Sequence, residues 1–135
     1  MGLSFALYRV TLNLNIRAEK SDVEKVLAFV ETTKHEATGY TIHCWRGISR
    51  STAVAFGILF YFLRDEQKAA RRLVEIRRIA MPLKRIVRFY DEIFGSNLAR
   101  FGNTIYRARL ELMKENLYNS KPVELNPVEE EEEDV

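Results

Sequence analysis

The order of patterned segments predicts an α/β fold, with a parallel-type central sheet flanked by helices. Three observations carry that expectation. In "LYRVTLNLNI", residues 7–16, apolar and polar residues alternate as in a strand with one buried face. A spacing of three and four among Val23, Val26, Leu27 and Val30 then gives an amphipathic helix, followed by a second β-like run, "YTIHC". Finally, the stretch from about Arg50 to Arg64 is apolar on nearly every side, as a helix in the middle of a core must be.

The elements follow in order. Val10, Leu12, Leu14 and Ile16 mark the buried face of the first strand. Ser21 and Glu24 have capping-box spacing ahead of a helix over about residues 22–34. "ATGY" turns the chain into the strand that ends at Cys44. The segment "DEQKAARRLVEIRRIA" starts with acids and ends with arginines, the sense that the helix dipole favours. "PLKRIVRFYDEIF" puts Pro82 at a first helical position, Leu83, Ile86, Val87, Tyr90 and Phe94 on one face, and Gly95 at the stop. A last helix is expected over about residues 97–118. Residues 1–118 thus read as one domain and 119–135 as a disordered acidic tail.

Composition narrows the setting. A chain of 135 residues with 47% hydrophobic residues is long enough for one small core. One cysteine cannot form an internal disulfide, which favours a reducing, cytoplasmic location. "MGLSFALYRV" lacks the basic start of a signal peptide, and the run Ala53–Leu63 is too short to span a bilayer. The net charge of +2 conceals an asymmetry: without residues 129–134 the body holds 21 basic against 13 acidic residues. Such a body suits an anionic partner, although solvated helix faces account for many of these charges equally simply. Arg64–Arg109 holds twelve basic and five acidic residues, so the acidic run could fold back on a basic face; a solubilising tail is the simpler alternative.

The chemistry concentrates in "HCWRGISRS", residues 43–51. A strand, this loop and then a helix aim the loop's backbone N–H groups and the positive end of the helix dipole at one point, a cradle for an oxyanion. Gly47 lets the backbone turn where a side chain would crowd a ligand. Arg50 can fork two hydrogen bonds to phosphate oxygens. The same field should lower the Cys44 thiol from about 8.5 into the range of about 3.5–7.5, giving a thiolate nucleophile. Ser51 can donate to that sulfur and ease its departure. His43 can order the loop through backbone carbonyls. Trp45 is a rim or packing residue; Arg46 adds charge at the rim or decorates the surface. His35 reads as an exposed helix end. The two histidines and one cysteine lack metal-site spacing, so no metal is expected.

This stretch matches H-C-x5-R-[S/T] and resembles the cysteine-dependent protein tyrosine and dual-specificity phosphatases. It is similar in particular to prokaryotic tyrosine-phosphatase-like proteins with "HCWAGISRSTA" loops, and "IAMPLKRIVRFYDEIFG" resembles their later Ala-x-Pro-Asn segment. The similarity spans residues from about 8 to 96. It implies a phosphatase-like fold, shortened at the N-terminus, and hydrolysis of phosphate monoesters through a cysteinyl-phosphate. In that scheme Cys44, Arg50 and Ser51 are catalytic. The N–H groups of Trp45, Arg46, Gly47, Ile48, Ser49 and Arg50 hold phosphate, and His43 organises the loop. A phosphorylated protein, with phosphotyrosine foremost, or a small aryl phosphate is the implied partner. No cofactor, nucleic acid or membrane is called for.

Two departures bear on activity. The family takes a general acid from a loop after the preceding strand, where this chain has Asn13 and Asn15, with Glu19 and Asp22 as the nearest carboxylates. Leu83 stands where the family has asparagine after the proline, which implies a loosened contact behind the loop. The alternative to an enzyme is therefore a weakly active or inactive phosphate-binding module. A sulfurtransferase-like role is a third reading, disfavoured by the serine after Arg50.

Overall fold

A computed structural model describes residues 6–11, 17–44, 49–102, single positions between 105 and 114, and 130–134. It is a mixed α/β structure: among the described residues four helices pack with a small parallel sheet. Strand β1 (Ala6–Thr11) pairs in parallel with β2 (Ala37–His43), and helix α1 (Lys20–Thr33) connects them. "ATGY" belongs to β2 and is no turn; the register slips between Ala6 and Leu7, so Leu7 pairs with Gly39. The part of the first expected strand over residues 12–16 lies outside the described residues.

Helix α1 starts two residues earlier than the Ser21–Glu24 spacing implies. Glu19 is the N-cap and Asp22 its reciprocal partner, with the Glu19 N–H donating to Asp22 Oδ2 at 2.8 Å. A long-range contact fixes this frame: Arg85 Nη2 lies 3.4 Å from Glu19 Oε2, and Arg85 Nε donates to the Ala18 carbonyl at 2.9 Å.

Helix α2 (Arg50–Leu63) is the centre of the molecule, touching α1, β2 and both later helices. Ser51 to Val54, Phe56 to Ile58 and Phe60 are all buried. Arg64 caps it in the left-handed region (φ 55°), its guanidinium lying over the Tyr61 and Phe94 rings. Helix α3 (Glu66–Ile76) follows at once, with Asp65 accepting the Lys68 N–H at 2.9 Å. It stops before Ala80, because Arg77 is extended (φ −141°). Helix α4 (Lys84–Phe94) has Leu83 as its N-cap, so Pro82 precedes the helix and is not its first residue. Gly95 ends it at φ 64°, as the stop signal implies. Asp91 then holds the following 3-10 helix, Leu98–Phe101, by accepting the N–H groups of Leu98 and Ala99.

Residues Glu130–Asp134 form β3, parallel to β1 on the edge away from β2. The sequence places them in a disordered tail that could fold on the helices of 64–109; their pairing is instead with β1. In the backbone register Arg9 of β1 stands opposite Glu132, and the strand supplies backbone partners to the edge. The remainder of residues 119–135 lies outside the described residues. No described helix is long and apolar enough to cross a membrane.

One contact sets the position of α2. Tyr90 of α4 is fully buried and points its ring at Gly57; an added Cβ there would stand closer than 3.0 Å to three ring atoms. Gly57→Ala gains about 1 kcal/mol of helix propensity, yet over-packs a site without room to yield. The expected net loss is about 1–3 kcal/mol in urea unfolding; an unchanged midpoint would mean that α2 and α4 are not in contact there. Burial also pushes the Tyr90 phenol far above its ordinary value. The unfolded chain releases this proton above about pH 10 while the folded chain keeps it. Its contribution to stability is therefore complete below pH ~10 and declines as pH rises beyond it. Tyr90→Phe should flatten that alkaline decline in urea midpoints measured across the range.

Candidate active site

β2 ends at His43 and α2 begins at Arg50, so the candidate loop leaves the carboxyl end of a strand and enters a helix. Of its residues the structure describes Cys44 and Ser49; Trp45, Arg46, Gly47 and Ile48, which the sequence assigns to the phosphate cradle, lie outside the described residues. The two ends of the loop come together. Cys44, partly buried, accepts the Ser51 N–H on Sγ at 3.4 Å, and its Sγ is 3.1 Å from Ser51 Oγ.

The physical content of that contact is specific. Ser51 is the second residue of α2, and its N–H is one of the first-turn donors that no helical carbonyl can satisfy. The sulfur fills that vacancy. It also lies at the positive end of the dipole of a 14-residue helix, the environment that favours an ionised thiol. With the sulfur ionised, the Ser51 hydroxyl is oriented to donate to it as well. Ser51 and Thr52 are both buried, so this first turn is held by packing rather than by exposed side chains.

Arg50 opens the helix one residue before Ser51 and is half-buried. His43 occupies the last position of β2, opposite Thr11, and is exposed. The loop carbonyls between 45 and 48 that it is expected to order lie outside the described residues. Ser49 acts through its backbone. Its carbonyl accepts the Ala53 N–H, the Thr52 hydroxyl and the Leu83 N–H, each at 3.1 Å.

The Leu83 contact went unforeseen. Whatever side-chain contact Leu83 is expected to loosen, a backbone hydrogen bond ties the α3–α4 connection to Ser49. A main-chain donor leaves no trace in side-chain identity, so no residue type could have announced it.

Family models, curated proteins and solved structures were compared with the chain, and none matched.

The two carboxylates nearest the expected acid position have other occupations. Glu19 and Asp22 cap α1 reciprocally, and Glu19 is also paired with Arg85. Asn13 and Asn15 lie outside the described residues. Among the described residues no three His, Cys, Asp or Glu side chains gather as a metal site. A capping role predicts that Glu19→Ala and Asp22→Ala each lower stability by about 1 kcal/mol and leave the rate of Cys44 alkylation unchanged. A several-fold change in that rate would instead assign the carboxylate to the sulfur's surroundings.

Proposed function

We propose that this chain is a cysteine-dependent phosphatase of the tyrosine and dual-specificity type, acting on aryl phosphate monoesters and above all on protein phosphotyrosine. The observation that supports this reading most directly is the Cys44 sulfur held by the N–H and hydroxyl of Ser51 at the start of a buried helix. It stands beside the H-C-x5-R-S spacing of residues 43–51. A nucleophilic thiolate needs a reducing compartment, and the cytoplasm supplies one.

In this reading the Cys44 thiolate attacks phosphorus while Arg50 and the loop N–H groups hold the non-bridging oxygens. An S–P bond forms as the P–O bond to the leaving group breaks, giving a cysteinyl-phosphate. Water then attacks phosphorus, the S–P bond breaks, and inorganic phosphate leaves with the thiolate restored. The Ser51 hydroxyl and N–H stabilise the sulfur as it departs.

Glu19 and Asp22 being engaged in the α1 cap, the leaving group departs largely unaided and takes its proton from solvent. A phenolate, whose conjugate acid has a pKa near ~10, tolerates this; a serine or threonine alkoxide does not. Loss of general-acid help is worth about 10²–10⁴-fold in rate. The same engagement favours, as the second reading, a module that binds phosphorylated partners with little turnover.

Hydrolysis of p-nitrophenyl phosphate should be measurable in the wild type, competitively inhibited by vanadate, and abolished by Cys44→Ser or Arg50→Ala. Phosphoserine peptides should be cleaved at least about 10²-fold more slowly. Equal rates on the two ester classes would overturn the leaving-group argument. Absent turnover with tight, Arg50-dependent vanadate binding would select the module. Iodoacetate should alkylate Cys44 in acidic buffers; reaction confined to alkaline solution, as for an ordinary thiol of pKa ~8.5, would remove the nucleophile from the scheme.

A further inference from the structure

The α3–α4 connection combines features that the phosphate-binding loop does not use. Helix α2 leaves the Cys44 loop, and α3 packs against it after a connection of only Arg64 and Asp65. The segment after α3 then returns to the loop, as the 3.1 Å hydrogen bond from Leu83 N–H to the Ser49 carbonyl demonstrates. On this returning segment Ile79 and Met81 are 48% and 66% exposed, and Ile76 at the end of α3 is 51% exposed. Arg77, Arg78 and Lys84 are exposed among them. From residue 76 to residue 90 the chain holds five basic residues and not one acid.

We infer that the segment 76–84 is a docking lip for the peptide around the scissile residue, selecting phosphotyrosyl segments that carry acidic residues and an apolar side chain beside the phosphotyrosine. This rests on the phosphatase reading of the Cys44 loop. The cations complement acidic flanks, and the exposed Ile79 and Met81 offer apolar contact to a neighbouring side chain. An extended peptide advances about 3.3 Å per residue, and the Leu83–Ser49 hydrogen bond brings the end of this segment to the start of α2. An anionic lipid headgroup would also meet the cations. Its phosphate, however, is an alkyl diester or at best an alkyl monoester, neither of them the aryl monoester that the proposed reaction cleaves unaided.

The test compares phosphotyrosyl peptides flanked by glutamates and a leucine with matched peptides flanked by lysines and serine. The acidic peptides should show a kcat/KM about ten-fold higher or more, a preference that fades in ~1 M salt as charges are screened. Arg77→Glu/Arg78→Glu should abolish the preference, Ile79→Ser/Met81→Ser should remove the leucine's share of it, and both variants should keep wild-type rates on p-nitrophenyl phosphate. Arg77→Gln/Arg78→Gln, a milder change, should reduce the preference partially. Equal kcat/KM for the two peptide sets, or variants that lower peptide and p-nitrophenyl phosphate rates alike, would overturn the lip.

Binding of fluorescent peptides by anisotropy separates this outcome from the fate of the phosphatase reading. If p-nitrophenyl phosphate is not hydrolysed, binding of the acidic peptides that depends on Arg77 and Arg78 would still support the lip, and equal binding of both sets would overturn it. Co-sedimentation with phosphatidylserine vesicles, without discrimination between peptides, would overturn it in favour of a membrane surface.

Discussion

The sulfur of Cys44 accepting the Ser51 N–H is the contact on which the rest of the site depends. A helix must find partners for its first-turn donors, and here one of them is a side-chain sulfur at the end of the neighbouring strand. The arrangement joins three requirements in one place. It joins the two ends of the loop between β2 and α2, satisfies the N–H of the buried Ser51, and places the sulfur at the positive end of the α2 dipole. An exposed or mobile helix would not keep such a contact. Helix α2 keeps it because most of its length is buried, with Phe56, Gly57 and Phe60 in the core.

Packing therefore acts on chemistry through a short mechanical path. Tyr90 occupies the space that a side chain at position 57 would need, which sets how closely α4 approaches α2. Phe94, stacked on Tyr90, extends the same contact to Phe60 and to the Arg64 cap. From the other end of α4, Leu83 reaches the Ser49 carbonyl and Arg85 reaches the start of α1. One helix thereby fixes both the axis of α2 and the backbone at its entrance. In the proposed site, whose donors would be main-chain groups, side chains elsewhere would act on function by this route.

Much of this was legible in the residues themselves. The limits of α2 follow from a polar, glycine-containing loop giving way to an unbroken apolar run, and the stop of α4 follows from a glycine free to take φ 64°. The features that escaped share one cause, determination by distant partners. Ser21 and Glu24 have the spacing of a capping box, but Arg85 selects Glu19 from the far side of the sequence. The arginines after Ile76 have good helix propensity, yet the chain leaves the helix there. Arg77 is extended, and the chain must turn back so that Leu83 meets Ser49. The five acids of β3 have poor strand propensity and are placed by backbone pairing along the edge of β1. In the loop itself, the sequence indicated the pairing of Cys44 with Ser51 because both bear side-chain chemistry. It was silent on Leu83, whose contribution is a backbone proton.

The proposed chemistry and the proposed lip are linked through the leaving group. A thiolate in an oxyanion cradle can attack any accessible phosphate monoester, so selectivity must come either from proton delivery or from contacts beyond the phosphate. Glu19 and Asp22 are committed to holding α1, so in the proposed reaction proton delivery would fall to solvent and the chemical step itself would discriminate in favour of phenols. That discrimination does not separate one phosphotyrosine from another. Contacts outside the phosphate must do so, and the one described segment that is bonded to the loop and presents both cations and apolar side chains is 76–84. A site weak in proton transfer thus places more of its selectivity on binding the surrounding chain, where interactions made equally in the ground and transition states improve capture at low substrate concentration rather than the rate at saturation.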